Sequence, residues 1–160
     1  MYILGDIGNS ETKVYLVNSK NKVIRNVNFP SKKIDNVILN KKFRYLIKDF
    51  KSIKKVLFCS VVPNSFNLIR LFLKTKTKVV CYEIKQLNLS SLIRIKVKYN
   101  QVGSDRITNA ISVMDNKKNF IIIDLGTATT FDVLIKNSYR GGIIAPGVKI
   151  SLKTLSDKAT

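Results

Sequence analysis

One short pattern occurs twice in the chain and constrains its fold more than any other feature. "DIGNSETKVYL" starts at Asp6, and "DLGTATTFDVL" starts at Asp124. Both copies have a glycine two residues after the aspartate, a threonine six residues after it and a leucine ten residues after it, and both follow an apolar run. An internal repeat of this kind predicts two related structural units within one chain.

The repeated residues suit one kind of chemistry. A glycine lets backbone N–H groups approach phosphate oxygens closely, and an aspartate at the end of a strand can hold a cation that bridges those oxygens. The pattern therefore favours a nucleotide site built from two hairpins. Two ordinary hairpins with Asp–Gly turn chemistry would give the same short pattern, and the repeat alone leaves that alternative open.

The first half of the chain predicts an α/β lobe. Three strands are predicted from alternating hydrophobicity between turns, over residues 1–8, 11–18 and 22–29. The helical spacing of apolar residues predicts a helix over residues 34–50. The runs "VLFCSVV" and "KVVCYEI" predict buried strands on either side of a second helix, which follows Pro63 and has Asn64 or Ser65 as its N-cap. The predicted order is β-β-β-α-β-α-β.

The second half predicts a shorter set of elements. A polar connector over residues 85–100 contains the strand-like run "IRIKVKY". A helix follows with Ser104 or Asp105 as its N-cap, and then come the strands "FIIID", "TTFDVLI" and "YRGGIIAPG" and the start of another helix. We therefore expect a first lobe over residues 1–84, and a connector with a second lobe over residues 85–160.

Composition excludes several classes of protein. The chain has 160 residues, of which 45% are hydrophobic, which is enough for one good core or two small lobes. It has no apolar run near the roughly 18 residues of a membrane span, and no signal-peptide pattern. Cys59 and Cys81 lie in apolar runs and are expected to be buried thiols of a cytoplasmic protein. The absence of histidine excludes imidazole bases and the usual zinc sites.

The net charge of +19 has two interpretations. A strongly basic chain can bind nucleic acid by neutralising phosphates. The lysines, however, occur in scattered pairs and not in one stripe, and a chain rich in Lys, Asn and Ile together is typical of an AT-biased coding sequence. Polyanionic substrates such as nucleotides would be attracted in either case.

Duplicated Asp-x-Gly hairpins that each open a lobe of this kind resemble the actin-like ATPase superfamily of sugar kinases, heat-shock chaperones and actin. Within it, the chain resembles the type III pantothenate kinases in "DIGNSETKVYL", "SVVP", "VGSDRITNAIS", and "IIIDLGTATTFDVL" with "GGIIAPG". The resemblance implies duplicated ribonuclease H-like lobes and ATP-dependent phosphorylation of pantothenate, the first step towards coenzyme A. It also implies Mg2+ and a monovalent cation, either K+ or NH4+, as cofactors.

The same resemblance implies a set of nucleotide-binding residues. They are Asp6, Gly8, Asn9, Ser10, Lys13 and Thr127. Asp6 would organise Mg2+, and Asp124 would coordinate the monovalent cation. Ser10 stands where the family commonly has threonine and keeps the hydroxyl. Lys13 is one of many lysines, and a plain surface charge is the alternative for it.

"GSDR" stands where the family usually reads Gly-Ala-Asp-Arg, and it implies a pantothenate site. The implied substrate residues are Tyr99, Gly103, Ser104, Asp105 and Arg106. Asp105 would be the general base for the primary hydroxyl, and a helix N-terminus beside Arg106 favours its ionised form. From the residues alone, Asp105 could be a plain N-cap and Tyr99 a packed ring, while Arg106 could hold an anion or orient Asp105. Asp132 repeats an acidic position of the family and could simply satisfy nearby backbone.

The chain departs from the family in its second lobe. By resemblance that lobe continues with further helices and strands, whereas this sequence ends within the first of those helices. We therefore expect a truncated lobe with an unpaired edge on "FIIID". We also expect weak or no kinase activity for the chain alone, unless a partner copy covers that edge.

Two classes of function remain open at this point. The first is a kinase that binds ATP and pantothenate and does not bind a membrane. It is expected to be a homodimer, because the family forms dimers. A non-catalytic regulator is the second, because some relatives are transcription accessory factors and the positive charge suits nucleic acid. Retention of Asp6, Asp105, Arg106 and Asp124 favours the enzyme, since a regulator has no need of a base and two metal-binding acids.

Overall fold

The computed structural model describes residues 1–158 of the chain. These residues form two units, Met1–Leu87 and the part from Asn88 onward, and each unit combines a mixed β-sheet with helices. The α/β fold class predicted from the sequence is confirmed. Within the described range, no helix is long and apolar enough to cross a membrane.

The first unit has a five-stranded sheet in the order β3-β2-β1-β4-β5. Its elements are β1 (Tyr2–Ile7), β2 (Glu11–Val17), β3 (Val23–Pro30), α1 (Asn36–Leu46), β4 (Lys55–Ser60), α2 (Pro63–Lys76) and β5 (Cys81–Glu83). The first three strands are antiparallel neighbours, whereas β4 is parallel to both β1 and β5. Parallel strands need a crossover connection, which α1 and α2 supply. The predicted order of elements is confirmed.

The core of the first unit lies between its sheet and the two helices. Ile3 and Ile7 of β1 are fully buried, and so is Phe43 of α1. Burying a side chain of this size stabilises the fold by about 1.5–3 kcal/mol. Gly5 lies between the two isoleucines, and a Cβ at this position would be 2.0 Å from the ring of Phe58. Glycine is therefore what lets that ring pack across β1.

Helix α1 is shorter than the helix predicted over residues 34–50. It begins after Asp35, whose Oδ1 accepts the N–H of Ile38 at 2.7 Å. Phe50, the last residue of the predicted range, is the first residue of a separate 3-10 turn, Phe50–Ser52. The side-chain cap fixes the start of the helix more narrowly than the hydrophobic spacing does.

The prediction that Asn64 or Ser65 caps α2 is wrong. The helix begins at Pro63, and no side chain caps it. Proline suits the first turn because its N–H would have no partner there and its φ is already helical. The hydroxyl of Ser65 donates instead to the carbonyl oxygen of Ser31 at 3.0 Å, which attaches the helix to the segment after β3.

The second unit has a four-stranded sheet in the order β6-β9-β8-β7. Its elements are β6 (Arg94–Ile95), α3 (Ser104–Val113), β7 (Asn119–Leu125), β8 (Ala128–Ile135), β9 (Ser138–Pro146) and α4 (Val148–Lys158). Strands β7, β8 and β9 form an antiparallel meander, and β6 is parallel to β9. The run "IRIKVKY" thus contributes only a two-residue strand. Tyr99, which was interpreted as the end of a strand, starts the 3-10 turn Tyr99–Gln101.

The two sheets differ in how far their equivalent faces are covered. Ile3 and Ile7 of the first repeat are 0% exposed, whereas Ile121 and Leu125 at the same positions of the second repeat are 72% and 71% exposed. In residues 1–158, β7 also lies at the edge of its sheet and pairs with β8. The open edge expected for "FIIID" is therefore present, together with an exposed apolar face.

Candidate active site

The first glycine-bearing hairpin joins β1 to β2. The N–H of Gly8 donates to the carbonyl of Glu11 at 3.0 Å, which closes the turn. A Cβ on Gly8 would lie 3.3 Å from the same oxygen, so the turn is tight. Asn9 and Ser10 at the tip are exposed. The predicted phosphate-binding residues of this hairpin are thus accessible to a ligand.

Asp6 and Lys13 are direct partners in the ladder between β1 and β2. Cross-strand partners lie on the same face of a sheet, and both residues are exposed. The ammonium of Lys13 lies 3.9 Å from the carboxylate of Glu11, an exposed ion pair that contributes little to stability. The hairpin therefore combines an acid suited to a cation with a base suited to a phosphate.

The second glycine-bearing hairpin joins β7 to β8. The N–H of Gly126 donates to the carbonyl of Ala128 at 3.0 Å, and Asp124 is half-buried just before the turn. The N–H of Gly147 donates to the carbonyl of Thr127 at 3.1 Å. A Cβ on Gly147 would lie 2.3 Å from the Gly126 carbonyl oxygen. The end of β9 thus packs on this turn through a glycine.

A buried hydroxyl lies beside Asp124. Thr130 is its cross-strand partner in β8, so the two side chains share a face. Thr130 is 9% exposed, and its Oγ1 has no hydrogen-bond partner within the described residues. Thr12, which has the same place in the sequence repeat, pairs with Ile7, and its Oγ1 lies 2.8 Å from the Oγ of Ser31. The acid of the second hairpin therefore has a buried, unsatisfied oxygen opposite it, whereas the ladder partner of Asp6 is Lys13.

The "GSDR" segment forms the start of α3. Gly103 is the N-cap residue and no side chain caps the helix, so the prediction that Ser104 or Asp105 is the N-cap is wrong. Ser104 is the buried first residue of the helix. Asp105 is half-buried in the first turn, and its Oδ1 accepts the backbone N–H of Arg106 at 2.8 Å. A carboxylate at this end of a helix is favoured by the helix dipole.

One turn further along α3, Asn109 contacts the second hairpin. Its Nδ2 donates to Oδ2 of Asp124 at 2.8 Å. Residues four apart in a helix lie on one face, so Asp105 and Asn109 face the same side of α3. Helix α3 thus connects the predicted general base with the acid predicted to bind the monovalent cation.

A buried ion pair fixes α3 to β8. Asp132 is 0% exposed and accepts the Nε–H of Arg106, with Nε 2.8 Å from Oδ1 and 3.1 Å from Oδ2, while Nη2 lies 2.6 Å from Oδ1. The hydroxyl of Tyr139, which is also fully buried, donates to Asp132 Oδ1 at 2.5 Å. The sequence left two roles open for Arg106, and the anion that it holds here is Asp132.

The surroundings of this network shift two pKa values. Burial raises the pKa of the Tyr139 phenol, and its hydrogen bond to Asp132 raises it further. Burial tends to lower the pKa of Arg106, but the hydrogen bond and charge of Asp132 outweigh burial and raise it. Arg106 therefore stays positively charged, and Tyr139 stays protonated through neutral pH.

A glycine in β9 makes room for the guanidinium of Arg106. A Cβ on Gly142 would lie 1.8 Å from the carbonyl oxygen of Phe131 and 2.8 Å from Nη2 of Arg106. Neither β8 nor the guanidinium leaves space for any other residue at this position. Gly142, the second of two adjacent glycines in β9, is thus part of the packing around the ion pair.

Sequence reasoning missed several polar residues of the second unit. Asn109, Thr130 and Tyr139 were given no role. For Asp132 the alternative to a family position was contact with nearby backbone, whereas its partners are two side chains. A signal existed for Asn109, which follows Asp105 at the four-residue helical spacing. Tyr139 had no such signal, because only the β8–β9 pairing brings its hydroxyl to Asp132.

A family model that describes type III pantothenate kinases matches residues 2–160. The chain belongs to this family. A curated type III pantothenate kinase from Pelagibacter ubique (strain HTCC1062) is 61% identical over 160 residues, which are 100% of this chain and 64% of the relative. Another from Sulfurihydrogenibium sp. (strain YO3AOP1) is 34% identical over 99% of this chain and 65% of the relative. The chain thus spans slightly less than two thirds of the length of these type III pantothenate kinases.

Solved structures agree on the fold. A protein assigned as a 2-dehydro-3-deoxygalactonokinase from Sinorhizobium meliloti matches with a TM-score of 0.57 and 8% identity, over 99% of this chain and 58% of that one. A protein assigned to the Baf family of transcriptional activators from Campylobacter jejuni matches with a TM-score of 0.56 and 21% identity, over 97% of this chain and 59% of that one. These likenesses confirm the ribonuclease H-like fold that the family resemblance implied.

Proposed function

We propose that the chain phosphorylates pantothenate with ATP and forms 4'-phosphopantothenate, the first step of coenzyme A synthesis. The observation that carries the proposal is the family match over residues 2–160, which includes both glycine-bearing hairpins and the start of α3. The relatives are longer than this chain, so the activity of the whole enzyme is attributed to it as a proposal.

In this reaction Asp105 acts as the general base. It accepts the proton of the pantothenate primary hydroxyl while that oxygen attacks the γ-phosphorus of ATP, and the bond from that phosphorus to ADP breaks. Phosphoryl transfer depends mainly on positioning and on neutralising charge, so one well-placed acceptor is sufficient. The half-buried position of Asp105 in the first turn of α3 supports this role.

Substrate and nucleotide contacts follow from the family pattern. We propose that Tyr99, Gly103, Ser104 and Arg106 line the pantothenate site together with Asp105. The proposed ATP-binding residues are Asp6, Gly8, Asn9, Ser10, Lys13 and Thr127. The exposed tip of the first hairpin and the shared face of Asp6 and Lys13 support phosphate binding there.

The donor groups present fit the two proposed cations. Mg2+ in kinases is usually held by one or two carboxylates plus substrate phosphates, and the single exposed carboxylate of Asp6 suits that arrangement. Asp124 belongs to no cluster of three acids, cysteines or histidines within residues 1–158. One carboxylate beside the unsatisfied Thr130 oxygen suits a monovalent cation, K+ or NH4+. A bound cation would supply positive charge next to the transferring phosphates.

An ADP-release assay tests the proposed function. Purified chain with Mg2+ and ATP should release ADP only when pantothenate is added, and faster in KCl than in NaCl at equal ionic strength. A sugar acceptor in place of pantothenate should give background release. Release that is independent of the acceptor, or that responds to the sugar alone, would overturn the proposal.

A regulatory role is the second candidate, and the net charge of +19 favours it. One structural neighbour is assigned to a family of transcriptional activators. Binding to a short DNA duplex, measured by fluorescence anisotropy, would fall steeply between 50 and 200 mM salt if phosphate contacts dominate. Such binding without turnover of pantothenate would establish the regulator.

We also propose a cytoplasmic homodimer, as the family resemblance implies. Sedimentation velocity on the purified chain measures the state of association directly. A single species at 36 kDa, about twice the 18.1 kDa mass of one chain, is expected. A monomer over the whole micromolar range would contradict this proposal.

A further inference from the structure

Two side chains next to Asp124 contact neither nucleotide nor pantothenate in the proposed mechanism. We propose that the hydroxyl of Thr130 is an oxygen ligand of the monovalent cation at Asp124, and that Asn109 positions the Asp124 carboxylate for that cation. The inference rests on the proposed function for the presence of a cation at Asp124. Its geometry belongs entirely to the second unit.

Thr130 has a buried hydroxyl oxygen whose hydrogen-bonding capacity is not satisfied within residues 1–158. Buried hydroxyls nearly always have a hydrogen-bond partner, because an unpaired one loses its contact with water and gains nothing in return. Thr130 Oγ1 has none within the described residues, although the side chain is 9% exposed. Its cross-strand partner is Asp124, and such partners have Cβ atoms about 5 Å apart. A single ion can therefore contact an oxygen of each residue.

The first repeat provides an internal comparison. Thr12 has the same place in the sequence repeat as Thr130, but it pairs with Ile7, and Asp6 pairs with Lys13. Thr12 is buried too, and its hydroxyl is paired with Ser31. The unpaired oxygen therefore lies opposite the acid that was predicted to bind a monovalent cation. One carboxylate and one neutral hydroxyl also match the charge of a singly charged ion.

Asn109 holds the Asp124 carboxylate through a hydrogen bond. Its Nδ2 holds Oδ2 of Asp124 at 2.8 Å, and Oδ1 takes no part in that bond. Hydrogen bonds to a ligating carboxylate fix its orientation and tune its affinity for the ion. Asn109 lies one helical turn, about 6 Å along the axis, from Asp105. The same contact therefore fixes the acid of the cation site relative to the proposed base.

Thermal unfolding in KCl, against choline chloride at equal ionic strength, tests the inference without any turnover. A ligand that binds the folded state raises Tm with its concentration. K+ should raise the Tm of the wild type. Thr130→Val, which keeps the shape and removes the hydroxyl, should keep or raise the Tm in choline chloride because no unpaired oxygen is buried, and should lose the K+ increment.

Asn109→Ser should raise the K+ concentration at half-maximal Tm increment by about tenfold. In an Asp124→Asn background, Asn109→Ser should change nothing further in the K+ response, because Asn109 acts through Asp124. Asn109→Ala is the second variant, in case the serine finds a new partner.

Thr12→Val is the matched control for Thr130→Val. It removes a buried, paired hydroxyl from the threonine at the same place in the sequence repeat, which does not face an acid. Its Tm should fall in both salts while the K+ increment stays as in the wild type. If this variant lost the K+ increment instead, the effect of Thr130→Val would not be specific to the Asp124 site, and the inference would fail.

Other outcomes separate the inference from the proposed function. A Thr130→Val variant that responds to K+ like the wild type refutes the ligand role of Thr130. An unchanged K+ midpoint in Asn109→Ser refutes the positioning role of Asn109 and leaves it only a structural contact of α3. A K+ increment that depends on Thr130, without turnover of pantothenate, leaves the inference standing and removes the proposed function. Turnover of pantothenate without any K+ increment in Tm refutes the inference and leaves the proposed function standing.

Discussion

Asp132 has a fully buried carboxylate, and its two partners account for its burial. Taking a charge out of water is costly unless the charge is paired and hydrogen-bonded. Arg106 supplies the opposite charge and a hydrogen bond, and Tyr139 supplies a further hydrogen bond. Arg106 directly follows Asp105 in the chain. The network therefore fixes the first turn of α3, where the proposed base lies, to β8 and β9.

This network predicts unequal costs for two substitutions. Asp132→Ala leaves the buried guanidinium of Arg106 without its partner and should lower the free energy of unfolding by about 3–5 kcal/mol. Tyr139→Phe removes one hydrogen bond and keeps the ion pair, so it should cost about 1–2 kcal/mol. Urea titration followed by circular dichroism measures both. Equal costs would show that Arg106 does not depend on Asp132.

Cys81 gives a prediction that depends on pH. Burial raises the pKa of this thiol to about 12, although the charge of Arg70 opposes the shift. At pH 8 the thiolate fraction is then about a thousandfold smaller than it would be at the ordinary thiol pKa of 9.0. Iodoacetamide should therefore leave the Cys81 peptide unmodified in the native protein and alkylate it in urea, as read by mass spectrometry. Rapid native alkylation at pH 8 would contradict the burial.

The same shift affects stability at high pH. The thiol is free, so it can ionise in the unfolded chain near its ordinary pKa, while the folded chain keeps the proton. The unfolded state then binds fewer protons, and stability falls as pH rises. This contribution is complete below pH 9 and is lost between about pH 9 and 12.

At the scale of elements, the sequence predicted the order of strands and helices but not the helix starts. Alternation and helical spacing are local, and they located all three strands of each meander. Helix starts depend on neighbours that the pattern does not contain. Pro63 replaces a side-chain cap on α2, and Gly103 replaces one on α3. Polar residues next to a start were therefore misinterpreted as caps.

Packing between β8 and β9 makes one glycine indispensable. In Gly142→Ala the new Cβ would meet a backbone oxygen at 1.8 Å, which cannot rotate away, so the strands must separate. We expect a loss of about 3 kcal/mol in the free energy of unfolding, by urea titration. Gly126→Ala is the control, because its Cβ would be 3.5 Å from the nearest oxygen. A Gly142→Ala variant as stable as the control would refute the packing.

At the scale of the whole molecule, the repeat predicts two similar lobes, but the face that is buried in the first sheet is exposed at the equivalent strand of the second. Ile3 is 0% exposed and Ile121 is 72% exposed at the equivalent position. No local pattern could have predicted this, because both strands are apolar runs of the same kind. Coverage depends on helices from elsewhere in the chain, and the described part of the second unit does not bury this face.

This difference predicts that truncating equivalent isoleucines lowers the free energy of unfolding much more in the first unit than in the second. Ile3→Ala should lower the free energy of unfolding by about 2–5 kcal/mol, because it opens a cavity in a packed core. Ile121→Ala should cost less than about 1 kcal/mol, since its side chain is already in water. Urea titrations of both variants at low micromolar concentration measure the two costs. Equal losses would mean that the face of the second sheet is covered in solution.

The sequence predicted the acids of the candidate site but not the contacts that position them. The acids at positions 6, 105 and 124 stand in short motifs that a family resemblance can identify. Asn109 and Thr130 lie in the same motifs, but their contacts with Asp124 come from helix packing and strand pairing. Tyr139 reaches Asp132 only through its position in the sheet. The residues proposed for chemistry are thus readable from the sequence, while the contacts that position them require the fold.

The central claim is that Asp105 of this chain takes the proton from pantothenate during transfer from ATP. The most direct measurement is 31P NMR of the product formed by the wild type, by Asp105→Asn and by Asp115→Asn. The control removes a carboxylate that likewise accepts a backbone N–H, that of Lys117 at 2.8 Å, outside the proposed site. We predict a 4'-phosphopantothenate resonance for the wild type and the control, and a rate lower by about 10²–10⁴ for Asp105→Asn. No phosphorylated product from the wild type, or an undiminished rate in Asp105→Asn, would contradict the account.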